Sequence, residues 1–181
     1  MKYILTIIFS FLICNFSIAQ HTLEFDKIAS KIKPLETKVV DIKFKNENQK
    51  EKGTNTIYEF GDYEYTYSTG KRIEYYKSGQ IMTESEYDLY GNILSCKLYD
   101  GNGDILRESK TLKIDTKAKT IEEFLHLNKY YEILTYEKKY KYSFKLCKWY
   151  LFSEGQMLNN KKIGKWKKYS DDGKIKKESE Y

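Results

Sequence analysis

Few residues in this chain are of the types that carry chemistry, and their spacing restricts them further. Histidine occurs twice, at His21 and His126. No HExxH, CxxC or GxSxG pattern and no phosphate-binding loop accompanies them, so an imidazole-based zinc or nucleophilic site would have to be assembled from scattered single residues. Asp100-Gly-Asn102-Gly-Asp104 sets oxygen ligands at alternate positions, as a calcium loop begins, but the sixth and twelfth positions are Ile105 and Thr111 where glycine and glutamate are needed. The carboxylate pairs Glu84/Glu86 and Glu178/Glu180 are spaced to share a strand face and could be imagined as a glycosidase pair. They recur with the sequence motif that holds them, whereas a catalytic pair is needed once, so cross-strand pairing with lysine is the expected role. The reading is of a non-enzyme with no catalytic residue, no metal and no cofactor.

Residues suited to binding are more abundant. The stretch YEFGDYEYTY places Tyr63, Tyr65 and Tyr67 on one strand face, where aromatic rings with polar tips can grip a partner or fill a layer under a helix. Lys165, Trp166 and Lys168 form a basic aromatic group near the C-terminal end, with Lys161, Lys162 and Lys167 beside it. Cys96 and Cys147 are one disulfide or two free thiols.

These side chains must be positioned by a chain of 181 residues with formal net charge +6, including 18 tyrosines and one proline, Pro34. Met1-Lys2, an apolar run to Ile18 and small residues at Ser17 and Ala19 predict a secretory signal peptide over 1–19. Residues 20–181 are then expected as a single domain. Charge is uneven, −3 over residues 20–109 and +8 over 110–181. Export argues against nucleic acid as the partner.

The elements are spelled out by a repeat. GQIMTESEY (Gly79–Tyr87) returns as GKIKKESEY (Gly173–Tyr181), and Gly79, Gly91 and Gly103 are spaced by 12. Each is followed two residues later by isoleucine, Ile81, Ile93 and Ile105, as Gly173 is by Ile175. Glycine supplies the positive φ that closes a hairpin turn, and the alternation beyond it is that of a strand. The expected fold is mainly β, an antiparallel meander of repeated hairpins with one or two short covering helices. YKYSFKL predicts a stripe of Tyr140, Tyr142, Phe144 and Leu146, and the apolar run from Cys147 to Phe152 predicts a strand covered on both sides. Phe25, Ile28, Ala29 and Ile32 follow helical spacing before Pro34. Thr120 with Glu123 makes a capping box, so a helix is predicted over 121–131 within an insert at about 118–132, with His126 directed to solvent. His21 is expected to lie at a loose new N-terminus.

The segment GKWKKYSDDGKIKKESEY, through Gly164, Trp166, Tyr169, Gly173, Lys174, Glu178 and Tyr181, resembles the variant MORN repeat. YYKSGQIMTESEY fits the same mould, and YDLYGNIL with YDGNGDIL also resembles YD repeats. Together the resemblance covers residues 67–110 and 161–181. It implies stacked hairpins, and bacterial proteins with such arrays carry the label of YwqK-family antitoxins.

The functional expectation is an exported protein-interaction or scaffolding module in the periplasm or at the cell surface, partnered by another protein. Two alternatives stand beside it: a module for envelope glycan or anionic lipid using the C-terminal lysines, and an antitoxin or immunity protein.

Overall fold

The computed structural model describes residues 21–126 and 129–181, so the leader expected over 1–19 lies outside the described residues. Ten strands form one antiparallel sheet in which spatial order follows chain order. They are β1 (Glu36–Lys43), β2 (Gln49–Phe60), β3 (Tyr63–Tyr75), β4 (Ile81–Tyr87), β5 (Ile93–Tyr99), β6 (Ile105–Thr116), β7 (Tyr131–Ser143), β8 (Lys148–Leu158), β9 (Lys161–Tyr169) and β10 (Ile175–Glu180). The helices are α1 (Leu23–Ala29) and α2 (Ile121–Leu125). Every described strand neighbour is also a sequence neighbour, so the hairpin is the unit of construction.

The repeated glycines close the turns. Gly79, Gly91, Gly103 and Gly173 have φ of 93°, 82°, 91° and 85° and stand between β3/β4, β4/β5, β5/β6 and β9/β10. In the first turn Tyr76 N–H donates to Gln80 O at 2.8 Å and Gly79 N–H to Tyr76 O at 2.9 Å. The same pair of bonds recurs from Asp100 and from Ser170. It recurs once more between β1 and β2, from Phe44, where the left-handed position is Glu47 with φ 65°. Asp100, the first residue of the calcium-like stretch, uses Oδ1 to accept from Asn102 N–H and Asp104 N–H at 2.8 and 2.9 Å. Its carboxylate thus serves the turn.

A second device repeats at the same 94-residue offset. Gly70-Lys71-Arg72 bulges opposite Gly53, and Gly164-Lys165-Trp166 bulges opposite Gly155, each led by a glycine at positive φ. Each bulge lays a long side chain over a glycine of the adjoining strand. A Cβ on Gly155 would come within 2.5 Å of the Trp166 ring, and one on Gly53 within 3.0 Å of Arg72 Cγ.

The core lies between the two helices and one end of one sheet face. Thr22 caps α1 by accepting from Phe25 N–H, and Thr120 caps α2 by accepting from Glu123 N–H at 3.1 Å. Phe25, Phe124, Ile114 and Tyr131 are buried together, with Phe25 and Phe124 edge to face at 4.9 Å. Tyr58, Tyr67 and Leu125 form an adjoining cluster. Each such side chain contributes about 1.5–3 kcal/mol of burial.

Four expectations need correction. The second helix stops at Leu125 and does not reach 131, because Tyr131 opens β7, pairs with Thr116 and donates its hydroxyl to Phe124 O. β7 ends at Ser143; Phe144 and Leu146 belong to an exposed turn and do not extend the tyrosine stripe. The strand from Lys148 is not covered on both sides, since the helices lie at the far end of the sheet and Trp149, Tyr150, Leu151 and Phe152 are only half-buried. His21, far from loose, forms a parallel bridge with Ile114, stacks on Phe25 at 4.1 Å and pairs with Asp88. Cys96 and Cys147 are both free, the first half-buried in β5 and the second exposed beside β8.

Candidate functional site

Opposite residues on neighbouring strands point to the same face, so the register defines rows that cross the sheet. One row reads Asp41, Lys52, Ile73, Glu84, Lys97, Glu108, Lys138, Glu154, Lys167, Glu178, with one residue from each strand in order. Its charges alternate in sign except at Ile73. Tyrosine hydroxyls stitch the carboxylates from the adjoining strand: Tyr99 donates to Glu84 at 2.7 Å, Tyr140 to Glu108 at 2.8 Å and Tyr169 to Glu154 at 2.6 Å. Glu84 also pairs with Lys71 at 3.2 Å. The tyrosine bond, reinforced by Lys71, holds the Glu84 carboxyl below its ordinary value. Of the repeated motif's glutamates, Glu84 is thus committed to neighbouring strands on both sides, through Tyr99 and Lys71.

The opposite face carries the helices at one end and a groove beyond them. Its row reads Arg72, Ser85, Cys96, Ser109, Glu137, Gly155. Short side chains at Cys96 and Ser109 leave a depression beside Glu137 in the middle of this face. The resulting hollow is about 640 Å³ and extends from Tyr131 and Thr135 past Ser109 and Glu137 to Arg107. Leu98, Ile93 and Ile133 supply its apolar wall.

Glu137 is the unusual residue here, only 1% exposed. Its Oε2 accepts from Arg107 Nη2. Lys139 Nζ stands 2.9 Å from Oε1, so each carboxylate oxygen has a cation beside it. Burying a carboxylate is costly unless it is paired, and the two cations beside Glu137 offset that cost. Sequence reasoning did not reach Glu137; its signal is a lone carboxylate at an inward position of a long strand, which only the register makes visible.

The residues singled out from the sequence are distributed differently. Tyr63 is 68% exposed, Tyr65 is half-buried with its ring edge-on to exposed His126, and Tyr67 is buried with its hydroxyl bonded to Leu125 O. The three share a strand but only Tyr63 is free to meet a partner. Trp166 is 3% exposed and its Nε1–H donates to Gln156 O at 2.9 Å, so it packs over Gly155 and offers no surface for recognition. Lys165 and Lys168 are exposed. Lys167 stands in the alternating row while its neighbour Lys168 faces the other side, and Lys162 Nζ lies 4.3 Å from the Trp166 ring centroid. The C-terminal lysines therefore do not converge on one patch. Ile81, Ile93, Ile105 and Ile175 open their strands directly after the turns, as the spacing predicts.

Among the described residues no cluster of His, Cys, Asp and Glu has a metal-site arrangement, and no helix is long and apolar enough to cross a membrane. No family model matches the chain, and no curated protein or solved structure is detectably similar to it.

Proposed function

We propose that the protein is an exported, non-catalytic interaction module of the cell envelope that engages another protein by accepting a strand on β1. The observation that carries this reading is the difference between the two open edges of the sheet. β10 is lined by Lys176, Lys177, Glu178 and Glu180, the charged dress that blunts an edge. β1 carries Val39 at 83% exposure, with Leu35 and Ile42 also exposed around it. This eight-residue edge sets exposed Val39 and Ile42 among Glu36, Lys38, Asp41 and Lys43, and so offers backbone hydrogen bonds for affinity and both apolar and charged side chains for selectivity, the mode of strand addition. The MORN-like phrasing of the hairpins supports a scaffolding role, since stacked hairpins make a stiff platform.

Val39→Lys tests this. Lysine at the centre of the edge leaves the β1–β2 pairing intact but opposes strand addition. With purified protein as bait against an envelope extract, one partner retained by the wild type in high salt and lost by V39K supports the reading. Identical capture by both proteins, or capture that collapses with ionic strength, overturns it.

A further inference from the structure

We infer that the tip of the β7–β8 hairpin, from Tyr142 to Trp149, is a lipid-contacting finger that enters the headgroup layer of an anionic bilayer. The site is separate from the β1 edge, so it stands or falls independently of strand addition.

The hairpin is set apart by composition and by pairing. Between Glu137 and Glu154 the chain holds no carboxylate side chain, while Lys141, Lys145 and Lys148 are interspersed with Tyr142, Phe144 and Trp149. The ladder of β7 with β6 ends at Lys139 and that of β8 with β9 at Ser153, so from Tyr140 and Leu151 outward the two strands pair only with each other. Opposite residues share a face. Tyr142 is opposite Trp149, whereas Lys141 and Lys148 belong to the other face, opposite Tyr150 and Ser143. One side of the hairpin is thus aromatic and the other basic.

The aromatic side is uncovered. Phe144 is 88% exposed, and Tyr142 and Leu146 are 40% exposed. The Tyr142 ring stands edge-on to Phe144 at 5.3 Å and to Trp149 at 5.8 Å, a cluster that belongs to neither group of core residues. The hairpin is braced at its base, where Ser143 Oγ donates to Asp171 Oδ2 at 2.8 Å.

Charge decides what covers this cluster. Lys141, Lys145 and Lys148 are exposed, and none of them is ion-paired with a carboxylate among the described residues. The acids that face the hairpin, Asp104 and Asp171, lie on the two flanking turns and are outnumbered. An acidic soluble partner would meet the lysines and leave Phe144 in water. An apolar protein pocket would bury Lys145 next to Phe144 without a counter-charge. The surface of an anionic bilayer accepts both: Phe144 and Leu146 enter the acyl boundary, tyrosine and tryptophan stay at headgroup depth, and the lysines run back along apolar surface to lipid phosphates.

The chain carries its own reporter, because its tryptophans are Trp149 and Trp166 and the latter is only 3% exposed. The test follows tryptophan emission and co-sedimentation of the exported chain, freed of the apolar run at 1–18, with vesicles of phosphatidylcholine alone and of an equal mixture with phosphatidylglycerol. A blue shift on the anionic vesicles is expected, with affinity about tenfold or more above that for phosphatidylcholine. Phe144→Asp should lower that affinity by about tenfold or more, and the double variant Lys145→Glu with Lys148→Glu should abolish the preference for phosphatidylglycerol. Circular dichroism checks each fold, and Leu146→Asp replaces Phe144→Asp if that variant is lost. The absence of binding to anionic vesicles overturns the inference, even where Phe144→Asp dissolves a dimer of the chain. Sedimentation without a blue shift, or binding unchanged by Phe144→Asp, overturns it equally, since the lipid would then be held elsewhere.

Discussion

His21 Nε2 lies 2.8 Å from Asp88 Oδ2, joining the residue where the described chain begins to the β4–β5 turn 67 positions later. Asp88 is almost wholly enclosed and also accepts from Tyr90 N–H, Asn92 N–H and Asn92 Nδ2–H, so one carboxylate organises the turn and the entry to α1 together. His21→Ala removes a charge-assisted partner and the ring stacked on Phe25. The expected cost is about 1–3 kcal/mol, read as a lower urea midpoint with unchanged slope.

Turn chemistry yields a change in the opposite direction. Glu47 holds a left-handed conformation that its three counterparts with the same turn bonding, Gly79, Gly103 and Gly173, give to glycine. For a residue with a Cβ that conformation costs about 1–2 kcal/mol, part of which glycine returns through its greater freedom in the unfolded chain. Glu47→Gly is expected to raise the thermal midpoint, whereas Gly79→Ala lowers it. Equal midpoints for all three proteins would remove the assignment.

Gly155→Ala is expected to be the most damaging of the single-methyl additions. Its Cβ would enter the Trp166 ring, which is fixed by a bond to Gln156 O, while the same change at Gly53 meets a flexible Arg72 stem. Overpacking of this kind costs about 1–3 kcal/mol. Denaturation curves should rank Gly155→Ala below Gly53→Ala, with loss of the Trp166 near-ultraviolet signal in the former.

High pH should unfold the protein. Burial leads the forces that raise Tyr58, Tyr99, Tyr136 and Tyr140 to about 12, and in Tyr169 the bond to Glu154 leads. A raised folded value means that the native state keeps its proton after the unfolded chain has lost it. The stability this represents is complete below the ordinary value of 10.0 and is lost as pH climbs toward 12. Phenolate absorbance and circular dichroism followed together from pH 9 upward should show these tyrosines ionising as the sheet melts. Ionisation well before unfolding would contradict their burial.

What the sequence displays of all this is local. The turns at Gly79, Gly91, Gly103 and Gly173 are legible because a tight hairpin needs a residue without a Cβ at one place, and the need repeats. The Phe44 to Asn48 turn escaped because Glu47 does the same work in a residue type that does not advertise it. α1 is announced by the helical spacing of Phe25, Ile28 and Ala29 before Pro34 and α2 by its cap, but the end of α2 was overrun because competition from β7 for Tyr131 is a tertiary effect. The groove is hidden for a geometric reason. Cys96, Ser109 and Glu137 sit on three different strands and become neighbours only once the register is known.

The alternating row begins at Asp41 on β1 and ends at Glu178 on β10, so both terminal members are acids. Were one molecule to dock its last strand onto the first strand of another with that row continued, carboxylate would confront carboxylate at every junction. Endless end-to-end growth into fibres is thereby discouraged, while an incoming foreign strand that brings a lysine to Asp41 would carry the sequence of signs onward.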